Sequence, residues 1–158
     1  LGVFGSGSAT LEHNFQEDSD YGDSSKLSFF SSGSLIDDKL GMSVRGSVFR
    51  RDASHVESSS TNTELSNRGP NPVKSENYNI GSKFDWKIND NNSIWLDGEI
   101  ANQKYDNSES QLGTIGASGG YEDELRYQRR KVTIGSDNQL GFGFLKSSLA
   151  YNLSLIHI

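Results

Sequence analysis

The sequence predicts an all-β chain, part of a transmembrane antiparallel up-and-down β-barrel. Three observations predict it. Apolar residues recur at every second position in several segments, tight Asp/Asn turns alternate with long polar stretches, and no run approaches the roughly 20 apolar residues of a membrane-spanning helix. Period-two alternation belongs to strands, whose side chains point to opposite faces in turn. The chain is 32% hydrophobic and 10% aromatic. That is polar for a packed soluble core and aromatic for a disordered chain, and it suits a wall in which every second residue meets lipid.

Taken in order, weak alternation over 9–15 gives a first strand and 27–35 a second. Asp37-Asp38 with Lys39 forms a tight turn, since Asp and Asn tolerate turn geometry. In the third strand Leu40, Met42, Val44 and Val48 share one face, and Ser43, Arg45 and Ser47 the other. The fourth is clearest: Tyr78, Ile80, Ser82, Phe84, Trp86 and Ile88 alternate with Asn79, Gly81, Lys83, Asp85 and Lys87. A second tight turn covers Asn89, Asp90, Asn91 and Asn92, and a fifth strand sets Ile94, Leu96, Gly98 and Ile100 opposite Trp95, Asp97 and Glu99. Residues 130–134 and 145–151 mark the sixth and seventh.

Long connections, 17–23, 55–75 and 108–124, separate the tight turns. Short turns at one end and long loops at the other form the rhythm of an outer-membrane barrel. Trp86 near a short turn, and Tyr78 and Tyr105 near the long loops, are placed for aromatic girdles at the two interfaces. Register follows from the turns. With Asp37-Asp38 as the loop, Gly33 meets Met42, Phe29 meets Gly46 and Leu27 meets Val48. Around 89–93, Ile88 pairs with Ile94, putting Trp86 beside Leu96 and Phe84 over Gly98. On these faces, a cation at Val44 is costly and loss of Arg45 far less so.

Composition also excludes. With no cysteine there is no disulfide, thiolate metal site or cysteine nucleophile. A formal net charge of −6 argues against nucleic acid as a partner. The serines lack a base in a triad arrangement, and Gly113, Gly116, Gly119 and Gly120 lack the strand-to-helix context of a phosphate cradle. Neither an enzyme nor a cofactor is expected. His13, His55 and His157 have no metal-ligand spacing, and the acidic segment 17–23 is too short for a calcium loop. The chain opens on Leu1 without a signal segment and reads as an internal fragment. Residues 153–158 resemble translated adapter sequence and are read as a non-native tail.

Ser28-Phe29-Phe30-Ser31-Ser32-Gly33-Ser34-Leu35-Ile36, then Leu40-Gly41-Met42 and Gly46-Ser47, then Ser82-Lys83-Phe84-Asp85-Trp86-Lys87 and Leu149-Ala150-Tyr151 carry a resemblance in their order and spacing. Together they are similar to TonB-dependent outer-membrane receptors of the catecholate-siderophore and colicin branch. The resemblance implies that residues 1–152 are the N-terminal part of a barrel of about 22 strands whose lumen holds a plug. It also implies active import of a ferric siderophore, driven by the TonB-ExbB-ExbD complex through a missing N-terminal region. Lipid and lipopolysaccharide would surround the wall, and colicins or phage are further candidate partners. Pattern alone also leaves open a passive porin or structural barrel, and a soluble extracellular β-sandwich adhesion module.

Ferric catecholates are anionic and aromatic, so their capture calls for Arg, Lys and aromatic groups. Arg126, Tyr127, Arg129, Arg130 and Lys131 form the first candidate cluster, and Arg50, Arg51 and Lys74 the second. The same cations also suit lipopolysaccharide phosphates, a plug or neighbouring acids.

Overall fold

The computed structural model describes residues 4–18, 20–54, 73–106 and 124–157. They form one antiparallel sheet whose spatial order is the chain order: β1 (Phe4–Asn14), β2 (Ser24–Ile36), β3 (Leu40–Arg51), β4 (Lys74–Asn89), β5 (Asn92–Asp106), β6 (Glu124–Leu140) and β7 (Gly143–His157). Each strand hydrogen-bonds only to its sequence neighbours, the up-and-down meander the alternation predicts. Among the described residues the only buried hydrophobic residue is Ala53, so the sheet has no second layer to enclose a core. That single-layer architecture is not a β-sandwich.

The two faces differ as the period of two requires. Leu27, Val48, Tyr78, Ile80, Ile100, Val132, Leu149 and Tyr151 stand on one face, each well exposed. Ten residue steps separate Tyr78 from Ile88, about 34 Å along the strand. At a tilt of roughly 40° that spans about 26 Å, close to the ~25 Å apolar band of a membrane barrel. The opposite face carries Arg45, Lys83, Asp85, Asp97, Glu99, Arg129 and Lys131.

Three short connections, 37–39, 90–91 and 141–142, lie at one end of the sheet, and the three long ones at the other. In the first, the Lys39 amide donates to the Ile36 carbonyl at 3.0 Å, and Asp38 takes φ 55°, in the left-handed region. In the second, Asn89 Oδ1 accepts from the Asn91 amide at 3.0 Å and from Asn92 Nδ2 at 2.8 Å, which closes a two-residue loop. The Lys87 ammonium, 2.8 Å from Asp90, hydrogen-bonds its carboxyl and holds it below the usual carboxylate range.

The first hairpin has the expected register: Leu27 pairs with Val48, Phe29 with Gly46 and Gly33 with Met42. An irregularity between Ser34 and Ile36 then brings Ile36 opposite Leu40, one residue out of that register. The second hairpin corrects the sequence-derived pairing by two residues. Trp86 lies opposite Ile94, Phe84 opposite Leu96, and Gly98 opposite Ser82. The tighter Asp90-Asn91 loop accounts for one residue, and an irregularity between Lys87 and Asn89 for the other. A two-residue slip preserves which face each side chain takes, so apolar matching alone does not detect it.

Glycines on the sheet serve specific neighbours. The Phe29 ring lies where a Cβ at Gly46 would stand, and the Trp95 ring covers Gly135, its partner on β6. At the long-loop end Gly22 packs against the backbone of Asp52 and Ala53, and its amide donates to Ser54 Oγ at 3.0 Å. In the acidic segment before it, Asp18 Oδ1 accepts from the Asp20 amide at 3.0 Å and Asp23 Oδ1 from the Gln16 amide at 2.8 Å. Both carboxylates therefore serve their own loop.

Candidate functional site

The polar face is organised around Arg45. Its guanidinium on β3 reaches across β4 to β5, where Nη1 and Nη2 donate to Asp97 at 2.9 and 3.0 Å and Nη2 to Glu99 at 3.3 Å. Gly81, opposite both Arg45 and Glu99 in the ladder, makes the crossing possible. A Cβ there would sit 3.0 Å from the Arg45 Cζ. Glu99 is shared with Arg129 on β6, so one chain of ion pairs links β3, β5 and β6. Below it Lys83 pairs with Asp85 and lies 5.4 Å from the centre of the Trp95 ring.

Strand alternation divides the sequence-predicted candidates between the faces. Tyr127, Arg129 and Lys131 stand on the polar face, whereas Arg126 and Arg130 stand on the apolar face. Arg51 is on the polar face, and Arg50 and Lys74 are on the other. Successive residues of one strand never make one cluster on one surface. Many of these cations already have partners. Arg51 donates twice to the Val73 carbonyl at 3.0 and 3.3 Å, tying down the base of the long connection. Arg50 lies 3.7 Å from Glu76, and Arg126 and Lys104 hold Glu124 at 2.9 and 2.7 Å.

Tyr105 occupies a different place from the one expected. It shares parity with Asp97 and Glu99 and so stands on the polar face, not in the lipid-side girdle. There it meets Tyr127 edge to face, ring centroids 6.0 Å apart. Toward the loop end the polar face thus carries Tyr105, Tyr127 and Arg129 on two adjacent strands, with Lys131 deeper, opposite Glu99. Sequence reasoning missed Tyr105 as part of this group, although its odd position among Asp97 and Glu99 marks its face. Trp86 and Tyr78 do stand on the apolar face, toward its two ends. Of the three histidines, His13 accompanies Phe15 and Ser25 on the β1–β2 hairpin, and His157 is in β7 opposite Arg126; His55 lies outside the described residues. Residues 153–157 continue β7 against β6, and the glycines of 113–120 lie outside the described residues.

No family model matches this sequence, and neither does any curated protein. Solved structures do match the fold. The siderophore receptor PirA from Acinetobacter baumannii superposes with a TM-score of 0.72 at 19% identity, over 92% of this chain and 21% of that one. Two mutants of the ferric enterobactin receptor PfeA from Pseudomonas aeruginosa, each in complex with enterobactin, give 0.71 and 0.69 at 17% identity. They match over 97% of this chain and 22% of theirs, so the chain spans about a fifth of the receptors it resembles. All three are named as receptors. The seven-stranded sheet has the fold of one stretch of the β-barrel wall of TonB-dependent siderophore receptors.

Proposed function

We propose that this chain is part of the wall of an outer-membrane receptor that binds a ferric siderophore of catecholate type and imports it actively. The observation that carries the reading is the match of the whole sheet to siderophore receptors, two of them holding enterobactin. The chemistry of the two faces supports it. An apolar band of membrane height suits contact with lipid, while a face crossed by ion pairs suits a lumen filled by water or a polar plug. In this reading the long connections are extracellular. Tyr105, Tyr127 and Arg129 then face the entrance, with Lys131 deeper in the lumen, where a tri-anionic, aromatic ligand meets cations and ring edges. Arg50, Lys74, Arg126 and Arg130 are left to the lipid side. The wall does no covalent chemistry. Its part is capture and guidance, and the TonB complex supplies the work of translocation.

The test is growth of a strain deleted for the complete gene under iron limitation, with ferric catecholates supplied one at a time. The proposal expects growth on one of them to fail and to return with the intact gene only when TonB is functional. Growth on all of them without the gene contradicts it.

A further inference from the structure

The first two long connections do not stand apart at their bases. Ser24 and Arg51 are the last paired residues of β2 and β3. One further backbone bond, from the Asp52 amide to the Asp23 carbonyl at 3.0 Å, carries the ladder into the connections themselves. Gly22 then lies against the chain beyond β3, where its amide donates to Ser54 Oγ. A Cβ at Gly22 would overlap the Asp52 carbonyl and stand 2.8 Å from the Ala53 carbonyl oxygen. Glycine alone lets the two chains come this near. Ala53 and Ser54 are 8% and 1% exposed, although they lie past the end of a strand in a sheet whose faces are largely open.

Each connection is also braced internally, next to this junction. On the β1–β2 side Asp23 Oδ1 accepts from the Gln16 amide, and the Asp18 carbonyl accepts from the Tyr21 amide at 3.1 Å. On the β3–β4 side the Arg51 guanidinium holds the Val73 carbonyl across the stem. The braces meet at the junction. Asp23 holds Gln16 with its side chain and Asp52 with its carbonyl, and Asp52 directly follows Arg51. Gly22 is the joint between the two sides.

We propose that this junction is a latch coupling the β1–β2 and β3–β4 connections, so that whatever orders or loosens one does the same to the other. Segments that share their hydrogen bonds and their buried contacts open together, as one cooperative unit. A ligand that orders one connection then leaves less freedom to be lost in the other, and the coupling works equally in both directions. The latch rests on the contacts just described. Its use in capture rests on the outer-membrane reading above, which puts both connections outside the cell.

The test is hydrogen exchange of the complete protein in mild detergent, read by mass spectrometry over residues 16–24 and 51–54. Asp23→Ala removes the brace to Gln16 and the contact with His13, but keeps the carbonyl that Asp52 uses. Arg51→Met removes the brace to Val73. With Gly22 in place, Asp23→Ala should speed exchange in 51–54 roughly fivefold, the scale of one hydrogen bond, and Arg51→Met should likewise speed 16–24. Gly22→Val drives the two chains apart, and on that background each change should stay within its own connection. Ser54→Ala, which takes away only the acceptor of the Gly22 amide, should loosen both segments together even where Gly22→Val fails to fold. Exchange at the Asp90-Asn91 turn, at the other end of the sheet, should be the same in every folded variant. A brace removed on one side without effect on the other overturns the proposal, and so does coupling that survives Gly22→Val. Uptake of a ferric catecholate is followed on the same variants. Coupled exchange in a protein that imports none rejects the transport reading alone, and intact import with uncoupled exchange rejects the latch alone.

Discussion

Arg45 and Asp97 face each other across an intervening strand, joined by two hydrogen bonds of 2.9 and 3.0 Å that pass over Gly81. A bidentate pair fixes direction as well as charge, so it locks the spacing of β3, β4 and β5 on the polar face. The side chains are 36% and 17% exposed, which moderates the strength of the pair. A double-mutant cycle of Arg45→Ala and Asp97→Ala in the complete protein should give a coupling of about 1 kcal/mol in urea unfolding. Strict additivity would show that the pair is incidental.

Gly81 is predicted to be harder to replace than Gly98, its neighbour across β4 and β5. A Cβ there crowds both the Arg45 guanidinium and the Gly98 carbonyl oxygen, each at 3.0 Å. Gly81→Ile should destabilise by about 1–3 kcal/mol. The same change at Gly98, where a Cβ stands free, should cost less than half as much. Comparing the two unfolding midpoints checks the register as well as the packing.

Neighbouring residues on one strand should respond to different degrees. Val44→Arg puts a cation in the apolar band and should cost about 2–4 kcal/mol near the midplane. Arg45→Ser removes a cation from the polar face but leaves Asp97 and Glu99 without it, at a cost of about 1 kcal/mol. Alternation alone makes the substitution at Arg45 far cheaper than that at Val44, and the ion pairs set its size. Equal costs at 44 and 45 would contradict the assigned faces.

The tight turn after β2 offers a stabilising change. Asp38 holds φ 55°, a conformation that costs an L side chain more than glycine. Asp38→Gly should stabilise by about 0.5 kcal/mol and Asp38→Val should destabilise by more than 1 kcal/mol. A thermal shift of the same sign for both would count against this turn geometry.

Much of the sheet is legible in the sequence because one face is apolar and the turns carry Asp and Asn. Val44, Trp86 and Ile100 mark their face at sight, and Asp37-Asp38 fixes the first register over most of its length. What was not legible has physical causes. The strand ends beyond Tyr78 and Ile100, such as Glu76-Asn77 and Asn102-Gln103-Lys104, leave the apolar band and are polar on both faces, so alternation vanishes where the strands continue. The β6–β7 turn at Gly141-Phe142 carries no Asp or Asn, and the strands beside it were read short. The sequence groups the candidate cations as near neighbours, whereas a strand sends neighbours to opposite faces. Tyr105 joins Tyr127 only through β5–β6 pairing, and Arg45 finds Asp97 only once β4 lies between them.

The central claim is that this wall belongs to an energised importer of ferric siderophore. The most direct measurement is uptake of radioactive iron, presented as a ferric catecholate, by cells carrying the complete receptor with and without functional TonB. The account predicts saturable uptake that needs both receptor and TonB. Uptake that rises linearly with concentration and persists without TonB would contradict it, and would make the barrel a passive pore.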